Sequence, residues 1–237
     1  MIALRSLIFN AILFVSAAIY APLVLPTVVL PYRLRYPIIA GWARMQAFLL
    51  KHLCRLDYHV EGREHLPAGA AILMSKHQSA WETIVFQQIF PPQTWVLKHE
   101  LIWIPFFGWA LALMRPIAID RGAGRRSIEQ VIAQGRERLQ SGIWVVVFPE
   151  GTRVAPGARK RYGIGGAVLA AETGYPIVPV AHNAGSYWPR RGFLKKPGSV
   201  RVAIGPTIDP RGRKAEEIIR QVEEWIEKKM VELERSV

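Results

Sequence analysis

Ile143-Trp-Val-Val-Val-Phe148, running straight into Pro149-Glu-Gly-Thr-Arg153, is the stretch that decides the fold. Its six apolar residues are all β-branched or aromatic and do not alternate with polar ones, the pattern of a strand buried on both faces. The polar turn that follows marks where the chain leaves the sheet. Working outward, shorter apolar runs at 70–74, 95–97, 117–119, 177–181 and 200–204 read as further strands. Between them lie helical patterns: from the island at His77 to about residue 88, over 127–140 with Ile128, Val131, Ile132 and Leu139 on one face, over 163–172, and over 215–233. The last carries Ile218, Ile219, Val222, Trp225, Ile226 and Met230 on one side and charges on the other. Strands alternating with helices predict an α/β fold whose central sheet is largely parallel or mixed, with helices on both faces.

Composition narrows the function classes. A chain of 237 residues with 51% hydrophobic side chains can bury one large core. A net charge of +13 calls for an anionic partner: nucleic acid, a phospholipid surface or a phosphorylated substrate. The basic stretches Arg159-Lys-Arg161, Arg190-Arg191 and Lys195-Lys196 lack the aromatic interleaving of a ribonucleic-acid motif, so no nucleic-acid partner is expected. A single cysteine, Cys54, excludes an intrachain disulfide framework and points to a reducing compartment. The six histidines show no ligand spacing, so no metal is expected.

The beginning of the chain selects a membrane. No charged residue occurs over 6–32, longer than the roughly 20 residues that a helix needs to cross a bilayer. Pro22, Pro26 and Pro31 interrupt its second half, so two readings stand: a crossing segment, or one that breaks after Tyr20 and dips into the membrane. Arg33, Arg35, Arg44 and Lys51 follow it and only Arg5 precedes it, which places the rest of the chain on the cytoplasmic side if the segment spans. From Tyr36 to Leu56, Ile38, Trp42, Met45, Leu49 and Leu53 form a helical stripe, suited either to the interface or to the domain core. Trp103, Phe106, Phe107 and Trp109 form a second aromatic patch, for lipid, an acyl pocket or the core. The expected organisation is therefore a membrane-anchoring helical region, 1–57, ahead of a catalytic α/β domain, 58–237.

Sites in such folds collect at strand ends. The island His77-Gln-Ser-Ala-Trp-Glu82 supplies an imidazole and a carboxylate, and Glu150-Gly151-Thr152-Arg153 supplies a second carboxylate, a flexible glycine turn and an arginine. Together these are parts of a base-driven transfer onto an anionic substrate. A spacing of five does not put His77 and Glu82 on one helical face. They meet if His77 stays in the loop and Glu82 lies on the first turn of the helix. Glu82 then fixes the ring tautomer and supports the imidazolium while His77 deprotonates a hydroxyl. Ser79 is a helix cap or, without a Gly-x-Ser-x-Gly turn around it, a poorly supported nucleophile. Arg153 offers a planar fork for phosphate, and Arg121, after Ile117-Ala-Ile-Asp120, offers a second.

In four ordered blocks, 77–82, 117–121, 148–153 and Ile177-Val-Pro-Val180, the chain resembles the glycerolipid acyltransferase family, specifically the 1-acylglycerol-3-phosphate acyltransferases. The resemblance implies a membrane-associated enzyme without a cofactor. It would move a fatty acyl group from acyl-coenzyme A or acyl-carrier protein to the sn-2 hydroxyl of lysophosphatidic acid, giving phosphatidic acid at the cytoplasmic face of a bacterial inner membrane. It implies His77 as general base and Glu82 as its carboxylate partner, with Arg121, Glu150, Gly151, Thr152 and Arg153 holding the glycerol phosphate. Two positions depart from the family pattern. Glu82 stands where an aspartate is usual, and Tyr162-Gly-Ile-Gly165 lacks a lysine often found after the tyrosine, for which Lys160 or Arg161 stands nearest. Another lysolipid acceptor, such as lyso-ornithine lipid, stays open, as do hydrolysis with water as the acceptor and the oligomeric state.

Overall fold

In a computed structural model of the protein, residues 1–120, 122 and 124–235 are described. Seven strands, β1 (Leu56–Glu61), β2 (Ile72–Ser75), β3 (Gln93–Lys98), β4 (Ile117–Ile119), β5 (Trp144–Val147), β6 (Ile177–His182) and β7 (Gly198–Ile204), form one sheet in the order β1-β7-β6-β2-β5-β3-β4. All pairings are parallel except β6 with β7, so the sheet is mixed, as the alternation of elements predicts. β1 was not legible in the sequence, because an edge strand of mixed polarity, Leu56-Asp-Tyr-His-Val-Glu61, lacks the apolar run that marks the centre.

Alternate residues of each central strand feed two cores. Leu73, Val146, Val178 and Val180 point to one face, where α1 (Ile2–Val24), α2 (Tyr32–His52) and α3 (Trp81–Ile89) cover them. Ile72, Met74, Val145, Val147 and Ile177 point to the other, under α5 (Arg125–Gln140), α6 (Gly165–Thr173) and α8 (Ala215–Glu234). Two short helices, α4 (Phe107–Ala112) and α7 (Ala184–Tyr187), complete the chain.

Three features of the amino-terminal region bear on its sequence readings. α1 does not break at Tyr20: it carries Pro22 in its last turn, where only a hydrogen bond near the helix end is lost, and passes through a 3-10 segment over Leu25–Val29 into α2. Of the expected stripe of α2, Trp42, Leu49 and Leu53 pack against the core while Ile38 and Met45 stay exposed, and the fully buried residues lie beside it. Tyr36, Ala40, Ala43, Ala47 and Leu50 are buried, while Ile38, Met45 and Phe48 stay exposed. The small alanines let the helix approach the domain closely, and the bulkier Ile38, Met45 and Phe48 are left outward. Finally, β1 begins at Leu56, and Phe9, Ala40 and Leu50 share one core with the sheet. Ile2–Val29 remains long and apolar enough to cross a membrane, with a mean hydropathy of 2.2.

Candidate active site

β2 and β5 are parallel neighbours, with Met74 opposite Val147, so the loops that leave their carboxyl ends emerge side by side. Val154 N–H donates to the His77 carbonyl at 2.7 Å and ties the two polar islands together. His77 lies in the loop ahead of α3, and Glu82 lies on the first turn of that helix. The Nδ1 of His77 is 2.7 Å from Glu82 Oε1, which also accepts the main-chain N–H of Gln78 at 3.0 Å and of Ser79 at 2.8 Å. An oxygen engaged by two amides is an acceptor, so Nδ1 is the donor and Nε2 is the ring nitrogen left for proton transfer. Phe148 stacks on the imidazole, 4.0 Å between centroids and 14° from parallel, and holds its plane. The His77 side chain is 14% exposed and that of Glu82 is fully buried.

Burial opposes charge on Glu82, but the fields of His182 and His77 and the hydrogen bonds from His77 and the Ser79 amide outweigh it, and the carboxyl is held below its ordinary range. Burial pushes His182 below the ordinary histidine value, and the field of Glu82 pulls it only partly back. Its Nδ1 accepts from Ala184 N–H at 3.3 Å, which makes Nε2 the donor to the Lys76 carbonyl at 2.9 Å. His182 thus supports the loop from beneath. Ser79 is buried and its Oγ accepts the Trp81 N–H at 3.1 Å, so it caps the start of α3 and is not presented as a nucleophile.

The second island divides. Gly151, Thr152 and Arg153 line the same cavity as His77. Gly151 has φ +66, a left-handed conformation that glycine adopts without strain, and its N–H closes the turn onto the Phe148 carbonyl at 3.0 Å. Arg153 Nε is buried with no hydrogen-bond partner among the described residues, a donor available to an anion. Glu150 departs from expectation: it is buried and turned away from the cavity. One oxygen accepts the His77 N–H at 2.9 Å, and the other lies 2.8 Å from the ammonium of Lys76. Burial pushes its carboxyl up, and Lys76 and the His77 amide pull it only partly back. Its position suits it to shape the loop, not to touch phosphate, which another carboxylate would repel. Arg121 lies outside the described residues.

The cavity has a volume of about 1110 Å³, larger than most small-molecule sites, and its walls are mostly apolar, from Phe14 of α1, Ile84 of α3, Leu97 of β3, Phe106, Phe107 and Leu111. Lys98, Arg190 and Arg191 also line it. Lys98 escaped the sequence reading, although a lysine directly after Trp95-Val-Leu97 is a charge at a strand end and could have been found on that ground. The Arg190-Arg191 stretch, legible only as a basic patch, is brought to the cavity, whereas Lys195 is buried beside Trp188 and cannot serve a headgroup. Lys160 and Arg161 are exposed. Lys76, also missed, is buried directly ahead of His77 in the chain.

An imidazole that lines a large, mostly apolar cavity and is paired with a buried carboxylate, with an unpartnered arginine donor in the same wall, can take a proton from a hydroxyl while an anion and an aliphatic chain are held. Comparison with known proteins agrees. The sequence profile of the acyltransferase family matches residues 57–183. The chain is 40% identical to the 1-acyl-sn-glycerol-3-phosphate acyltransferase of Pseudomonas aeruginosa over 238 residues, covering 98% of this chain and 92% of the relative. It is 28% identical to the chloroplastic 1-acyl-sn-glycerol-3-phosphate acyltransferase of Arabidopsis thaliana, covering 96% of this chain and 65% of that longer one. The crystal structure of the 1-acyl-sn-glycerophosphate acyltransferase from Thermotoga maritima superposes with a TM-score of 0.80 at 26% identity, covering 97% of this chain and 95% of the other. Fold, site and sequence converge: the chain belongs to the acyltransferase family.

Proposed function

We propose that this protein is a membrane-associated O-acyltransferase that moves a fatty acyl group to the sn-2 hydroxyl of 1-acyl-sn-glycerol 3-phosphate and forms phosphatidic acid. The observation that carries the reading is the His77–Glu82 pair, 2.7 Å apart, whose imidazole lines a large apolar cavity together with Arg153. The identity and coverage shared with the Pseudomonas aeruginosa relative support the same acceptor.

In the proposed reaction, Nε2 of His77 takes the hydroxyl proton as the oxygen attacks the thioester carbonyl carbon. Glu82 keeps Nδ1 protonated and steadies the imidazolium. The tetrahedral intermediate collapses with cleavage of the C–S bond, and the thiolate leaves as the imidazolium returns its proton. Arg153 and Thr152 at the cavity wall, with Arg121, receive the acceptor phosphate; Gly151 supplies the turn that lets the main chain approach. The donor is acyl-coenzyme A or acyl-carrier protein, both of which are anionic and suit Arg190 and Arg191 in the cavity lining. Residues 1–57 hold the enzyme at the membrane, and the basic residues Arg33, Arg35, Arg44 and Lys51 that follow the apolar segment favour the cytoplasmic face of a bacterial inner membrane.

The test is the purified full chain in detergent or nanodiscs with each labelled donor against lysophosphatidic acid, monoacylglycerol and lyso-ornithine lipid. Phosphatidic acid as the dominant product is expected. Preference for lyso-ornithine lipid, or release of free fatty acid without consumption of lysolipid, would defeat the proposal.

A further inference from the structure

The carboxyl-terminal helix reaches into the loop that carries His77. The ammonium of Lys76, a buried side chain, lies 2.8 Å from Glu150 Oε1 and 2.8 Å from Oε1 of Glu227 on α8. Tyr162 O–H donates to that same Glu227 oxygen at 2.9 Å, and Arg159 Nε lies 3.2 Å from the other. Burial and the neighbouring Glu227 push the Tyr162 hydroxyl far above the phenol range, so it remains a donor. Glu150 in turn spends its second oxygen on the His77 N–H. On the far side of His77, Gln78 Nε2 donates to Glu234 of α8 at 3.0 Å. Both residues flanking His77 are therefore tied to a helix that lies beyond the 57–183 match to the family.

Such a buried cluster is a weak source of net stability, because desolvation of the ions offsets their attraction. It is strongly directional. A lysine held between two carboxylates leaves its main chain little freedom, and removing it would set two buried carboxylates against each other and loosen Glu150 from the His77 amide.

We propose that Lys76, clamped between Glu150 and Glu227, is a positioning residue through which α8 sets the main chain of His77 for proton transfer. This rests on His77 acting as the general base. The buried ammonium cannot reach the cavity, so it acts through Glu150 and the loop.

The experiment uses the full chain in detergent micelles with lysophosphatidic acid and acyl-coenzyme A, together with histidine-selective ¹⁵N labelling to follow the His77 amide. Lys76→Met is expected to lower kcat about 10- to 100-fold, the scale of a small misplacement of a reacting group, with acceptor KM within about threefold. The His77 amide resonance should move as its carboxylate acceptor loosens. Adding Glu227→Gln to Lys76→Met should recover part of the lost kcat, because one of the opposed charges is gone. A purely structural role would lower the melting temperature but leave kcat of the folded enzyme and the His77 resonance in place, which would overturn the proposal. A loss of kcat/KM carried wholly by acceptor KM would also overturn it, by assigning Lys76 to substrate binding. If Lys76→Met does not fold, Glu227→Ala decides: a several-fold lower kcat with a shifted His77 amide supports the clamp, and no change in either refutes it. His77→Ala separates the two readings. Retained turnover there removes the general base itself, whereas lost turnover there with an unaffected Lys76→Met removes only the clamp.

Discussion

Glu82 presents to His77 an oxygen that two main-chain amides already hold, so its extra methylene relative to aspartate is taken up inside the first turn of α3 and the pair still closes to 2.7 Å. His77→Ala is expected to lower kcat by roughly 10²- to 10⁴-fold, measured by single-turnover transfer on folded protein. Glu82→Gln keeps an acceptor for the amides but removes the charge behind the imidazolium. It should cost about 10²-fold or more in kcat with acceptor KM little changed. The same substitution has a pH signature. The Glu82 carboxyl is held below its ordinary range in the fold, so its contribution to stability is complete above that range and is lost as pH falls through the lower folded value. Acid unfolding of Glu82→Gln should lack this component, and denaturant melts between neutral pH and about pH 3 would measure it. Arg153→Lys keeps charge but loses the planar fork, so acceptor KM should rise for lysophosphatidic acid and stay nearly unchanged for monoacylglycerol. Equal losses on both would refute phosphate binding.

At the scale of elements, α1 is fastened to the domain by specific contacts, not only by apolar area. Phe9 is buried edge-on to Trp188 at 5.7 Å, Ser6 Oγ accepts the Lys195 N–H at 2.9 Å, and the Lys195 ammonium donates to Asn10 and to the Phe193 carbonyl. Burial pulls Lys195 from the ordinary 10.5 down to about 8, with no carboxylate among the causes to restore it. Between those values the unfolded chain binds more protons than the folded one, so stability should rise as pH increases from about 8 to about 10.5. Comparing denaturant melts of the parent and Lys195→Met isolates the effect: the variant should lack that slope. Deleting residues 1–57 would strip Phe9, Ala40 and Leu50 from the shared core, so aggregation, and not a clean soluble domain, is the expected outcome. The sequence shows that α2 is helical and carries an apolar stripe but leaves its cover open, because periodicity finds such a stripe without saying whether protein or lipid covers it.

The whole molecule combines a basic surface of net charge +13 with a broad exposed apolar one. Phe14 on α1 is 71% exposed and Trp103, before α4, is 70% exposed, and Leu4, Leu7, Leu23, Val29 and Phe48 stand out similarly. Patches of this kind mark a membrane contact. Replacing Trp103 and Phe106 with serine should lower the fraction that sediments with vesicles, and a high-salt wash should leave the parent bound; release by salt alone would assign the attachment to charge. The sequence by itself determined the central strands, the helices between them and the two polar islands. Those signals are local: an apolar run or a 3.6-residue period is complete within its own segment. It also placed His77 and Glu82 at a strand-to-helix junction, where a spacing of five closes only across a loop. Only the tertiary structure decided that Glu150 faces inward to Lys76, that Glu227 completes that cluster from the far end of the chain, and that Lys98, Arg190 and Arg191 share a cavity with His77. Those partnerships depend on which strands become neighbours and which way their loops turn, and no spacing along the chain encodes the residue that lies across a sheet.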